Sequence, residues 1–405
     1  MTTSRELLVV KFGGSVLDGG PAFRKAAEAV KRECNRGRDV VVVASALKGV
    51  TDRLLSAAEE ITPNTEPNVI DHIISLGEEQ SVRLMAAALR SVGVDAVEVT
   101  PNSPSWPIVT DEAFGNAEPI MEECVSSAEL GLRPLLRRGK VPVVCGFVGR
   151  SPSGRITTLG RGGSDTTAVV LARCLGADEL VLVKDVEGVY TADPHRVEDV
   201  RPLKALKARE AHILALAGAK FIHSKVFKYK PDDLRVRIVS SSRSLDRGGT
   251  VITGAIPRLK VETHERPVME LTIVGDALSD PEALARISQE IKEKGGRVLS
   301  MSAVSPATEL YLDGDPASLL EGVHTLLEST ADLKALSASE NHALITVWGS
   351  ALDGEAAVAK AIARLSKAGI DARIVLVGKS SIYLLSNWER RGEVSRSIEE
   401  VLKEV

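Results

Sequence analysis

Leu7-Leu8-Val9-Val10-Lys11-Phe12-Gly13-Gly14-Ser15 is a continuous apolar and β-branched run that stops at paired glycines. A run with no wet and dry alternation belongs in a strand buried on both faces, and helical spacing resumes at about 22–35. The stretch is therefore the first strand and glycine loop of a strand, loop, helix unit. The same rhythm recurs along the chain. Strands are expected at 39–44, 96–99, 141–148 and 179–184, with helices at 46–60, 69–89, 119–138 and 166–175. Buried strands alternating with helices make a mainly parallel sheet covered on both faces. The fold class is α/β, an αβα sandwich through about residue 255.

Beyond Thr253-Gly254-Ala255-Ile256-Pro257 the texture changes to shorter, alternating strands. Segments 268–274, 281–294, 297–304, 309–312 and 316–327 read as β-α-β-β-α. The plan repeats over 343–348, 355–368, 371–377, 381–385 and 393–404, an internal repeat of ferredoxin-like α+β modules. The expected domains are 1–257, 266–335 and 340–405.

A chain of 405 residues with 44% hydrophobic and 26% charged residues has the balance of a folded enzyme with several cores. Its net charge of −4 gives no general attraction to nucleic acid or to an anionic membrane, and 3% aromatic residues supply few platforms for stacking bases. No apolar run approaches the ~20 residues of a spanning helix, and 1–6 lack a signal-peptide pattern, so a cytoplasmic location is expected. Cys34, Cys124, Cys145 and Cys174 form no Cys-x-x-Cys pair and read as reduced packing residues, with no metal-ligand set anticipated.

Chemistry concentrates at the loops. Lys11 with Gly13, Gly14 and Ser15 suits phosphate oxygens, because glycine lets backbone N–H groups approach an anion and the lysine adds charge; an ordinary tight turn is the alternative. The spacing is neither that of a P-loop nor of a dinucleotide fingerprint. Thr157-Thr158-Leu159-Gly160-Arg161-Gly162-Gly163-Ser164-Asp165 precedes another helix; Arg161 can fork onto a carboxylate or phosphate and Ser164 adds a donor, while Asp165 could orient an ammonium or simply cap the helix. The stretch from Lys184 and Asp185 through Tyr190 to Asp193 leaves a strand end with groups suited to a purine and ribose. Lys220 closes Ala217-Gly218-Ala219-Lys220 and reads as a charge at a helix C-terminus. Glu78, in Ser75-Leu76-Gly77-Glu78, could hold an amino group, and Ser45 and Thr51 flank Gly49 in donor positions.

Taken in order, these blocks resemble the amino-acid kinase superfamily and, within it, the aspartokinases. The likeness runs through Lys11-Phe12-Gly13-Gly14, Ser45-Ala46-Leu47-Lys48-Gly49-Val50-Thr51-Asp52, Ser75-Leu76-Gly77-Glu78, Gly146-Phe147-Val148-Gly149, Thr157 to Asp165, Asp185 to Pro194 and Gly218-Ala219-Lys220-Phe221-Ile222-His223. The resemblance implies transfer of the ATP γ-phosphoryl group to L-aspartate with Mg2+, and paired C-terminal ACT modules through which the chain dimerises. It further implies that Lys11, Asp165 and Lys220 are catalytic. Ser45, Thr51, Glu78, Arg161 and Ser164 would surround aspartate, and Lys11, Gly13, Gly14, Ser15, Lys184, Asp185, Tyr190, Asp193 and Lys220 would meet the nucleotide. Rival expectations are a superfamily kinase acting on glutamate or another small acid, and a non-catalytic amino-acid sensor. Three positions depart from the aspartokinase pattern: Ser15-Val16 stands where Thr-Ser is usual, Lys184 replaces a small hydroxyl residue, and Ser224 replaces proline after His223. In the modules, Gly275-Asp276-Ala277 and Gly349-Ser350-Ala351 offer backbone N–H groups to an amino-acid carboxylate.

Overall fold

The valine-rich runs lie side by side in the computed structural model, which describes residues 5–62, 64–194, 196–275, 281–327 and 333–403. Contacts divide the chain into units 1–256 and 257–405. The first unit begins β1 (Leu7–Phe12), α1 (Gly20–Asn35), β2 (Asp39–Ala44), α2 (Val50–Ile61), α3 (Pro67–Ser91) and β3 (Ala96–Val99). It continues α4 (Met121–Gly131), α5 (Arg133–Arg137), β4 (Val141–Cys145), β5 (Val148–Arg150), β6 (Ile156–Thr158), α6 (Gly163–Leu175) and β7 (Glu179–Lys184). It ends β8 (Ala205–Lys207), α7 (Ala208–Leu216), α8 (Lys225–Tyr229), β9 (Arg235–Ser240) and β10 (Thr250–Thr253).

The large sheet has the order β3-β4-β2-β1-β7-β9-β10-β8. From β3 to β9 every pairing is parallel, and β10 runs antiparallel to β9. All six residues of β1 are buried, as its unbroken apolar run requires. The order reverses between β1 and β7: β2, which follows β1, lies on one side, and β8 and β9, which follow β7, lie on the other. In open α/β sheets such a switch point opens a crevice beyond the carboxyl ends of the strands.

Two expected elements are split. The helix over 119–138 breaks at Leu132 because Pro134 lies in the first turn of a new helix that starts at Arg133, where its missing N–H costs nothing. The strand over 141–148 stops at Cys145, since Phe147 takes a left-handed φ of 69° and turns the chain into the β5–β6 hairpin.

The second unit runs β11 (Lys260–Thr263), β12 (Val268–Gly275), α9 (Pro281–Glu293), β13 (Arg297–Val304), β14 (Ala307–Asp313), α10 (Pro316–Leu327), β15 (Leu333–Trp348), α11 (Glu355–Lys367), β16 (Arg373–Val377), β17 (Ser381–Asn387) and α12 (Arg391–Leu402). One antiparallel sheet holds β13-β14-β12-β15-β17-β16, with β11 also on β15. The repeats therefore share a strand. The first part of β15 pairs with β12, its last part pairs with β17 and β11, and Asn341 at φ 60° bends it between. Residues 336–339, expected between modules, lie inside this strand. Each half has its own apolar core, one around Leu271, Leu312 and Leu319 and one around Ile345, Val358 and Ile398. Asp276, Ala277 and Glu404 of the expected loop and last helix fall outside the described residues. No helix among the described residues is long and apolar enough to cross a membrane.

Candidate active site at the β1–β7 crevice

Lys11 ends β1 next to the glycine loop, only 6% exposed. Its Nζ lies 2.8 Å from Oδ1 of Asp165. Lys184, at the end of β7, places its Nζ 2.8 Å from Oδ2 of the same carboxylate. Asp165 does not cap α6; Gly162, at φ 72°, is the N-cap, and Asp165 sits in the first turn, where the helix dipole also favours its charge. Burial opposes that charge, yet the two ammonium groups outweigh it and hold the Asp165 carboxyl well below the usual carboxylate range. Burial, helped by Lys184, lowers the pKa of Lys11 against the pull of Asp165. Two ammonium groups on one carboxylate leave a net positive charge in a largely dry place, which is the electrostatics of an anion site.

The loops that form the crevice are fitted closely. A Cβ on Gly14 would stand 2.6 Å from the Ala46 carbonyl oxygen, so glycine is needed where the loops after β1 and β2 meet. On Gly146 it would stand 2.7 Å from Ser164 Oγ, which brings Ser164 to the end of β4. Gly77 lets α3 press on Val50 of α2.

That packing buries Glu78, 3% exposed. It accepts the Ala46 backbone N–H, while among the described residues its Oε2 has no partner, nor has the buried Ser45 hydroxyl. Burial pushes the Glu78 carboxyl up to about 8, against the smaller effects of the Ala46 N–H and Lys11. A buried polar atom left unpaired costs about 1–3 kcal/mol, so these groups are suited to a ligand that completes them.

Two residues that sequence reasoning passed over hold the 157–165 loop. Asp71 accepts the Thr158 hydroxyl at 2.7 Å and the Thr158 and Gly115 backbone N–H groups at 2.9 Å. Lys225 donates to the Leu159 carbonyl at 2.9 Å and to Ala117 O and Asn116 Oδ1 at 3.2 Å. Asp71 had a signal: it lies seven residues before Glu78 on the buried stripe of α3.

The structure joins Lys11, Asp165 and Lys184 directly, sets Gly13 and Gly14 beside them, and buries Glu78 and Ser45 nearby. Ser15 lies in a short 3-10 turn after Gly13, and Thr51 is half-buried in the first turn of α2. Arg161 is exposed in the turn before α6. Asp185 and Asp193 are exposed, and Tyr190 bridges to Pro202. Lys220 is exposed in the turn after α7, not in the helix itself; the same segment presses His223 against Gly162. Among the described residues no three His, Cys, Asp or Glu side chains converge as a metal site.

A doubly wound sheet whose switch point holds a glycine loop and two lysines on one carboxylate is an α/β protein with an anion site suited to phosphate. Residues 6–240 match the model of the amino acid kinase family, and the chain belongs to that family. It is similar to the aspartokinase of Mycobacterium tuberculosis, 35% identical over 278 residues that make up 66% of this chain and 64% of the relative. The chain thus spans just under two thirds of that relative's length. In structure it resembles the aspartate kinase from Synechocystis, with TM-score 0.78 and 22% identity over 98% of this chain and 70% of that one. E. coli aspartokinase III, solved in complex with aspartate and ADP, matches with TM-score 0.56 and 25% identity over 98% of this chain and all of that one.

Proposed function

We propose that the chain is an aspartate kinase, transferring the γ-phosphoryl group of ATP to the side-chain carboxylate of L-aspartate to give 4-phospho-L-aspartate and ADP. The observation that carries this reading is the Lys11–Asp165–Lys184 cluster beside the buried, incompletely partnered Glu78 and Ser45. The likeness to an aspartokinase solved with aspartate and ADP supports it.

The acceptor carboxylate has a pKa of ~3.9 and is ionised at neutral pH, so no base is needed. Its oxygen forms the new bond to the γ-phosphorus while the bond from phosphorus to the β,γ-bridging oxygen breaks. The obstacle is repulsion between anions, and a loose, roughly in-line transition state is stabilised by fixed positive charge. Lys11 faces the transferred group, Gly14 and Ser15 direct backbone and hydroxyl donors to the phosphates, and Gly13, without a side chain, lets the phosphates approach the loop. Asp165 orients Lys11; as an ion held by two lysines it is too weak a base to remove a proton. Arg161 clamps the α-carboxylate of aspartate, while Glu78, Ser45, Thr51 and Ser164 receive its α-ammonium and polar edge. Asp185, Tyr190, Asp193 and Lys220 hold the nucleotide. Asp185, the carboxylate adjoining Lys184, would hold a Mg2+ brought by ATP. When bound, it neutralises phosphate charge.

Residues 1–257 carry this chemistry, and the ACT-like modules 266–335 and 340–405 assemble the chain as a homodimer. Exposed Val298, Met301 and Val304 on edge strand β13 and Val377 on edge strand β16 support pairing through sheet edges. A monomer by sedimentation would contradict that assembly. The activity is tested by trapping acyl phosphate with hydroxylamine in Mg-ATP: aspartate should give hydroxamate, and product from glutamate or a nucleoside monophosphate alone would refute the reading.

A further inference from the structure

We propose that Lys184 is a second catalytic lysine: its ammonium touches the phosphoryl group in transfer, sharing with Lys11 the charge stabilisation for which the resemblance implicates Lys220. The proposal rests on the kinase reading above and adds a residue to it. Three observations carry it. β1 and β7 are parallel neighbours with Phe12 beside Val183, so the next residues, Gly13 and Lys184, emerge together, and the Gly13 N–H reaches back to the Val183 carbonyl. The backbone that would cradle phosphate therefore starts beside Lys184. Second, Lys184 and Lys11 occupy the two oxygens of Asp165 at equal distance, with side chains 16% and 8% exposed. One carboxylate does not balance two ammonium groups, and holding like charges this close in a poorly hydrated site is costly unless an anion completes the cluster. Third, Lys220 is exposed, and among the described residues no ion pair or hydrogen bond fixes its ammonium. Lys184 is held in place and Lys220 is not.

Transition-state charge adds a requirement that a purely structural lysine would not meet. If Lys184 only neutralised Asp165, its loss would fall on folding and on the ground-state geometry of Lys11 and Asp165. If it touches the transferred group, its loss falls on the transition state and spares ground-state binding.

The test uses the full-length protein with Lys184→Met, Lys184→Gln, which keeps a donor for Asp165 without charge, and Lys184→Thr. Each should lower kcat by about 100-fold, with the KM for ATP and for aspartate moving less than about threefold. Lys220→Met should instead raise the KM for ATP. Independently of the acceptor, the gain in affinity of ADP-Mg2+ on adding aluminium fluoride, a mimic of the phosphoryl group in flight, should fall by about 30-fold or more in the Gln variant while ADP alone binds as in the parent. Binding of ADP also reports that the variant is folded. A Thr or Gln variant with kcat within about threefold of the parent, or an unchanged aluminium fluoride gain, overturns the proposal. Failure of the aspartate reading shows separately, as absence of aspartyl hydroxamate from the parent protein, and leaves the fluoride comparison intact.

Discussion

On one wall of the crevice Asp165 is paired with two ammonium groups at 2.8 Å; on the other, Glu78 has one backbone N–H and, among the described residues, no partner for its Oε2. Both carboxylates are buried, and Lys11 acts on both. Their protonation nevertheless goes opposite ways, Asp165 driven below the usual range and Glu78 up to about 8. The difference shows that burial sets the default, a neutral acid, and only direct ammonium contact reverses it. It also separates two jobs. Asp165 is a permanent anion that fixes two lysines, as the proposed phosphoryl transfer requires, whereas Glu78 is a neutral group that, on the proposed function, would acquire charge beside a substrate ammonium.

The sharpest way to break this contrast is Asp165→Asn. The change strands two buried ammonium groups, so it should cost about 3–5 kcal/mol of stability by urea denaturation, and kcat should fall about 100-fold or more as Lys11 loses its anchor. Stability within 1 kcal/mol of the parent, roughly the worth of an exposed pair, would show that the pairs are solvated and that the two walls do not differ.

Glu78→Gln tests the other wall and should act on binding. We expect the KM for aspartate to rise about tenfold with little change in kcat, since the α-ammonium interaction is present in ground and transition states alike. In the parent, Glu78 must release its proton to pair with that ammonium, so the KM for aspartate should fall as pH rises from 6 towards about 8, and the Gln variant should flatten that slope. A slope of the opposite sign would mean that Glu78 binds as an acid.

The smallest effect is on stability. A carboxyl whose folded pKa is raised above 4.5 contributes stability that is complete below that value and is lost as pH rises through about 8. Asp165 has the opposite sign: its contribution is present above 3.8 and is lost only as pH falls through its depressed folded value. The urea midpoint of the parent should decline between pH 5 and 8 relative to that of Glu78→Gln. Parallel curves for the two proteins would remove the raised pKa.

The parallel sheet was legible because β1, β2, β4 and β7 are short unbroken apolar runs ending in loops, a pattern that needs no tertiary information. β15 was not. Its middle, Ser337-Ala338-Ser339-Glu340-Asn341, is polar because it faces water on an antiparallel sheet, so a continuous strand read as a linker. β8 and β10 are only three and four residues long and owe their conformation to their neighbours. At the site, the glycine loops and Lys11, Asp165 and Glu78 were legible as types of residue in sequence order. The joint hold of Lys11 and Lys184 on Asp165 was not, because it depends on β7 lying beside β1, a neighbour relation between segments far apart in the chain. Asp71 and Lys225 were missed for the same reason, since their partners are remote in sequence.

The most direct measurement of the central claim follows the acceptor oxygen. Aspartate labelled with 18O only in its side-chain carboxylate is incubated with Mg-ATP and the protein, and the acyl phosphate is read by 31P NMR before it hydrolyses. Attack by the side-chain carboxylate on the γ-phosphorus predicts an 18O-shifted acyl phosphate resonance, lost in Lys11→Met. An unshifted acyl phosphate, or ADP formed with the label retained wholly in aspartate, would contradict phosphoryl transfer to that carboxylate.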